Sequence, residues 1–178
     1  MTGNAEVVIR RATEADIRDI ARINAQVFLG HRDNQEAAEK WVRCWFNAFP
    51  LYQYFVAETA GEIAGYIGWQ IHGGFLRSEP VVELEQIGVD PKFQGRGVGP
   101  QLEDTIDELV EWIKQNNTRI ESNIYVVVWG YALNFNAMKI YAEKFGEGVQ
   151  GLRRMYGERA ENMLRWRIPL IRPIRKDN

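Results

Sequence analysis

The sequence predicts one domain of the α/β or α+β class, and three observations carry that prediction. Apolar residues alternate with a period of two in some stretches and recur at helical spacing in others. Glycine, proline and asparagine fall between those stretches, where turns need them. The two kinds of segment interleave as strand, two helices, three strands, helix, strand, helix, two strands, a pattern of mixed architecture.

Each element follows from local chemistry. Val7-Val8-Ile9-Arg10-Arg11 reads as the first strand. Thr13 is placed to cap a helix, with Asp16 three residues on in a near relative of the capping box, and Ile17, Ile20, Ala21, Asn24 and Phe28 follow at helical spacing. A second helix is expected over Glu36–Asn47, with Trp41, Cys44 and Trp45 inward and Pro50 ending it. Strands are expected at Tyr54–Thr59 and Glu62–Ile71, joined by Ala60-Gly61 as a tight hairpin, and at Val81–Asp90 after a glycine-containing loop. Leu102, Ile106, Leu109, Val110 and Ile113 form the clearest helical stripe, which ends near Asn116-Asn117. Ile120–Trp129 reads as a strand and Asn134–Phe145 as a helix closed by Gly146. Val149–Tyr156 and Glu161–Pro169 read as a final antiparallel hairpin.

Composition narrows the class. The 178 residues are 46% hydrophobic and 26% charged, ordinary values for a globular chain with a full core. A formal net charge of -2 gives no general reason to expect nucleic acid or an anionic membrane as partner. Arg165, Arg167, Arg172, Arg175 and Lys176 make the C-terminus basic, a charge run read as a solvated tail. No apolar run approaches the about 20 residues needed to span a bilayer, and the N-terminus lacks a signal-peptide profile. Cys44, the sole cysteine, reads as a packed helical thiol, and a cytoplasmic location is expected. His31 and His72, the two histidines, have no Cys or His nearby at ligand spacing, so no metal site is expected.

The most informative stretch runs from Val89 through Gly99 to Pro100, where an apolar strand feeds a glycine-rich loop that opens into a helix. Gly95, Gly97 and Gly99 let backbone N–H groups approach an anion, the helix start adds partial positive charge, Arg96 offers a cation and Gln94 a donor. A diphosphate is expected there. A Walker loop is excluded because Pro100-Gln101 stands where Lys and Ser or Thr are needed. A dinucleotide fingerprint fails because its third glycine comes one position too early. A plain strand–turn–helix junction, with glycine for geometry, is the alternative.

The spacing Gln-x-x-Gly-x-Gly, read as Gln94, Gly97 and Gly99 after Val89-Asp90-Pro91, resembles the acetyl-CoA pyrophosphate loop of the GNAT superfamily of N-acetyltransferases. The element order resembles that family's β-α-α-β-β-β-α-β-α-β-β over residues 7–170, within a single domain spanning 1–178. The resemblance implies a mixed, splayed sheet with helices on both faces. It places Gln94, Gly95, Arg96, Gly97, Val98 and Gly99 on the diphosphate and the cofactor arm along Ile87, Gly88 and Val89, with a backbone N–H there polarising the thioester carbonyl. Gly88 read on its own is a strand glycine that either packs closely or admits a ligand. Asn134 and Tyr141 match a second family motif, Asn-x-x-Ala-x-x-x-Tyr. By that resemblance Asn134 contacts the arm and the Tyr141 hydroxyl protonates the departing thiolate; unaided, Tyr141 reads as core. The chain departs from the pattern at Phe145-Gly146, which reverses the usual pair, and at Pro100, which has no N–H to give.

Strand alternation puts Glu83, Glu85, Ile87 and Val89 on one face. Buried unpaired carboxylates are costly, so that face is solvated, paired to an arginine, or lining a cleft. Acyl transfer to an amine gives a reason for a cleft, because a lysine of pKa about 10.4 is almost wholly protonated at neutral pH. Two carboxylates about 7 Å apart on one strand could raise each other's pKa and supply the base. Glu83 sits where several family members carry a catalytic Glu, and Glu85 is the second candidate. The expected activity is transfer of acetyl from acetyl-CoA to a primary amine by direct attack in a ternary complex. The acceptor is a peptide or protein N-terminus or a small amine. Tyr156 through Met163 is similar to the last hairpin of enzymes that acetylate protein N-termini, whereas Trp69, Trp129 and Tyr131 suit an apolar pocket for a small amine. A non-catalytic acyl-CoA-binding sensor or scaffold on the same fold is the alternative, a nucleotide-binding domain a third. The chain is expected to be a monomer or homodimer.

Overall fold

The computed structural model describes residues 6–28, 33–73, 78–120, 123–131, 139, 141, 143–144, 149–153 and 161–169. They fall in two compact units. One holds the chain up to Gln70 together with Leu84–Leu109; the other holds Ile71–Glu83 and the chain from Val110 on.

In the first unit, β1 (Val7–Arg11) pairs antiparallel with β2 (Tyr52–Thr59), and β2 with β3 (Glu62–His72). The β4 strand (Val81–Val89) lies next to β3. Ala60 and Gly61 turn the β2–β3 hairpin with φ of 50° and 79°, the two positive values a tight hairpin wants. The expected capping device is present. Asp16 accepts from the Thr13 N–H at 2.7 Å and from its hydroxyl at 2.8 Å, and Arg10 clamps both of its oxygens. Burial pushes the Asp16 carboxyl up, but the Arg10 and Thr13 hydrogen bonds outweigh it and hold it below the usual range. A single turn at Glu14–Asp16 then passes into α1 (Ile17–Val27).

The inward face of α2 (Gln35–Phe46) differs from expectation. Ala38 and Val42 are fully buried, Trp45 and Phe46 partly so, while Cys44 is exposed and Trp41 is 39% exposed. The helix turns its small residues inward, against α1 and β2, and leaves Trp41 edge-on to Trp45 at its margin.

Both faces of β2 and β3 are covered, so their burial is nearly continuous rather than alternating. Tyr52, Tyr54, Val56 and Tyr66 join the α1–α2 core. From the opposite face, the Trp69 indole N–H donates to the Thr105 hydroxyl at 2.8 Å. Thr105 also bonds the Leu102 carbonyl at 2.6 Å, at the point where the predicted helix divides into α3 (Val98–Glu103) and α4 (Thr105–Asn116). Trp69 is thereby core, not the wall of an open pocket.

In the second unit, β7 (Glu161–Pro169) pairs antiparallel with both β5 (Asn123–Tyr131) and β6 (Val149–Arg153). Ile120, expected to open β5, is not in a strand, and just before it the Asn117 side chain accepts the Arg119 N–H at 2.9 Å. Ile124, Val126 and Val128 are buried in alternation. Lys139, Tyr141, Glu143 and Lys144 are helical; most of the predicted Asn134–Phe145 helix, Asn134 included, lies outside the described residues.

Beneath α1 and α2 is a buried phenol cluster. Tyr66 is satisfied: its hydroxyl accepts from Asn24 at 2.8 Å and donates to Gln86 at 3.3 Å. Tyr52 lies tilted against Tyr54, and Tyr54 edge-on to Tyr66, but the buried hydroxyls of Tyr52 and Tyr54 make no well-formed hydrogen bond. Burial pushes all three phenols up, so they stay neutral. Tyr66→Phe should therefore cost about 1–2 kcal/mol, whereas Tyr52→Phe should be neutral or stabilising within about 0.5 kcal/mol. Urea unfolding of the two variants checks the contrast; equal losses would contradict it.

Candidate functional site

The β4 strand alternates as expected. Val82, Leu84, Gln86 and Gly88 are buried, and Glu83, Glu85, Ile87 and Val89 are partly open. Gly88 has a steric reason of its own. A Cβ there would lie 2.7 Å from Tyr66 Cε1 and 3.3 Å from Ile23 Cγ2. Gly65 on β3 is equally constrained, since its Cβ would lie 2.9 Å from the Gly88 carbonyl oxygen and 3.1 Å from Leu102 and Val98. The two glycines let the strands, α1 and α3 come together around the end of β4.

Asp90 fixes where the strand stops. Its N–H donates to the Ala64 carbonyl at 2.9 Å, and its carboxylate accepts from the Lys92 N–H at 3.0 Å and from Arg22 at 2.5 Å. Burial pushes this carboxyl up, but the Lys92 N–H and the Arg22 guanidinium prevail and hold it below the usual range. A single turn at Pro91–Phe93 follows, and Arg96 lies over the Phe93 ring at 5.5 Å.

The loop itself explains two of its three glycines. Gly95 and Gly97 have φ of 73° and 77°, values that a side chain disfavours. Gly99 has neither a positive φ nor any atom within 4 Å of where its Cβ would sit. Nothing within the described fold requires glycine there. The Gln94 side chain, expected to face an anion, instead donates to the Val89 carbonyl at 3.0 Å and closes the loop on its strand. Val98 is buried and anchors α3, while Arg96 is exposed.

Of the acid–base candidates, Glu85 sits half-buried in the first unit, and its charge reaches the phenols of Tyr52, Tyr54 and Tyr66, where it adds to the effect of burial. Glu83, in the second unit, is hydrogen-bonded to His72 Nε2. Sequence reading weighed His72 only as a metal ligand and missed this pair; the available signal was that both residues flank the loop between adjacent strands. Tyr141, also in the second unit, is helical and 6% exposed. Among the described residues no cluster of three His, Cys, Asp or Glu is placed to hold a metal, and no helix is long and apolar enough to cross a membrane.

Comparison with known proteins bears on the same stretch. Residues 16–146 match the Acetyltransferase (GNAT) family. An uncharacterized N-acetyltransferase of Methanocaldococcus jannaschii is 28% identical over 137 residues, 75% of this chain and 57% of that protein. The N-alpha-acetyltransferase RimI of Mycobacterium tuberculosis is 36% identical over 107 residues, 57% of this chain and 61% of that protein. The chain thus matches only about three fifths of the length of these two relatives. In fold it is similar to the ribosomal-protein-S18-alanine N-acetyltransferase of Escherichia coli, with a TM-score of 0.64 at 18% identity over 97% of this chain and 99% of that one. It is also similar to an aminoglycoside N-acetyltransferase in complex with CoA, with a TM-score of 0.67 at 20% identity over 89% and 99% of the two chains.

Gly88→Ala should lower stability by about 1–3 kcal/mol through overpacking against Tyr66. Denaturant unfolding measures this; a neutral substitution would show that β4 has room the structure does not give it.

Proposed function

Because the chain belongs to the GNAT family of acetyltransferases, we propose that it transfers the acetyl group of acetyl-CoA to a primary amine, by direct attack in a ternary complex. The observation that carries this reading is Gly99, a glycine that the fold leaves unexplained and that a ligand lying against the loop explains. The residues present fit a diphosphate. The N–H groups of Gly95, Arg96, Gly97, Val98 and Gly99 are its main-chain donors, the Arg96 guanidinium is exposed, and Pro100 withholds one N–H at the end of the set. Gln94 holds the loop shut on Val89, and the cofactor arm runs beside Ile87, Gly88 and Val89 with Asn134 as a further contact.

Acetyl-CoA supplies an activated thioester, so the protein's own task is proton management and placement. Glu83 or Glu85 accepts the proton of the incoming amine, which as an ammonium cannot attack. The Tyr141 hydroxyl, 6% exposed, gives a proton to the sulfur of the departing thiolate. The names of the relatives point to an α-amine, to the alanine of ribosomal protein S18 and to aminoglycosides. The acceptor here is a peptide or protein N-terminus or a small amine of that range.

Thiol release from acetyl-CoA should be measured against short peptides with free N-termini, lysine-blocked controls, polyamines and aminoglycosides. Turnover is expected with one of these classes; tight CoA binding with no turnover would favour an acyl-CoA sensor. With the preferred acceptor, Tyr141→Phe should lower kcat at least tenfold and leave the Kd for CoA within about twofold. Gly97→Val should abolish CoA binding, and Gly99→Ala should weaken it while leaving the unfolding midpoint unchanged or raised. Normal CoA binding by Gly97→Val would move the phosphate site elsewhere.

A further inference from the structure

We propose that His72 acts through Glu83, holding its carboxylate in place and carrying the amine's proton from it to solvent. The inference rests on the acetyl-transfer reading and selects Glu83 over Glu85 within it. His72 closes β3 and Glu83 stands near the start of β4, on either side of the loop between the two strands. Their side chains meet through His72 Nε2 and Glu83 Oε2. The carboxylate side chain is 12% exposed and the imidazole 39%, so the pair runs from a half-closed position outward to water.

That gradient matters because a base has to be restored after each turnover. A carboxylate with little water around it can accept a proton and still be slow to release it. An imidazole is the ordinary side chain that both takes and gives protons near neutral pH. The step balances without any other reactant. Between turnovers the Nε2–H tautomer donates to the Glu83 carboxylate. Once Glu83 has taken one proton from the ammonium, leaving a neutral amine, the ring exchanges with solvent to its Nδ1–H tautomer and Nε2 accepts that proton, giving an imidazolium beside a carboxylate. The imidazolium then releases its Nδ1 proton to water, which restores the Nε2–H tautomer for the next cycle. Other described ionisable groups on the adjoining stretches are Glu79 before β4, Glu85 further along it, and Tyr125 on β5, whose N–H donates to the Pro80 carbonyl at 2.9 Å.

Two measurements test this. In the free protein, proton NMR resolves two histidines, and loss of one signal set in His72→Gln assigns the other to His31. The His72 ring signals should move at fixed pH after Glu83→Gln, because the imidazole loses the partner it touches. Kinetically, His72→Gln keeps a donor toward Glu83 but cannot carry a proton. With the preferred acceptor it should lower kcat about tenfold at unchanged KM for acetyl-CoA, and remove one ionisation from the acid limb of the kcat profile between about pH 5.5 and 9. Added imidazole should restore part of the rate. An active wild type whose His72→Gln variant keeps kcat and its pH profile would overturn the proposal alone, as would a loss that imidazole does not relieve. A wild type that binds acetyl-CoA but turns over no acceptor would overturn the acetyl-transfer reading and this proposal together.

Discussion

The end of β4 is held in a space too small for a side chain, and the rest of the site takes its position from that fact. Gly88 lies against Tyr66, and Gly65 lies against the Gly88 carbonyl. Tyr66 is in turn locked by Asn24 from α1 and Gln86 from β4. Helix, strand and strand are thus indexed to one another by contacts that tolerate little movement, as expected of close-packed interiors. Asp90 then ties the strand end to α1 through Arg22 and to β3 through Ala64. The glycine loop therefore begins from a fixed point.

Preorganisation of this kind is what binding a diphosphate with main-chain atoms requires. A flexible loop would spend binding energy on being ordered. Here the order is supplied by Gln94 on Val89, Gln101 on the Gly97 carbonyl and buried Val98.

The loop was legible in the sequence because positive φ leaves glycine as its mark, and the strand–loop–helix order set the context. The capping of α1 was legible for a similar local reason. What escaped was non-local. The β2 and β3 strands are covered on both faces, so they carry no alternation from which to infer a face. The buried side of α2 was misjudged because hydrophobicity ranks Trp41 above Ala38, whereas close approach to α1 favours the small residue. The break before Thr105 falls at a hydroxyl that also serves Trp69, a residue of another element. The His72–Glu83 pair depends on strand neighbours, and Gly88 looked like a ligand position without revealing that Tyr66 already demands it.

The most direct measurement is amide NMR of the loop in the free protein, titrated with CoA and, separately, with pantetheine, which lacks the diphosphate. The N–H signals of residues 95–99 should move with CoA and stay in place with pantetheine. If CoA binds and those signals do not respond, the main-chain cradle is not where the phosphates are held.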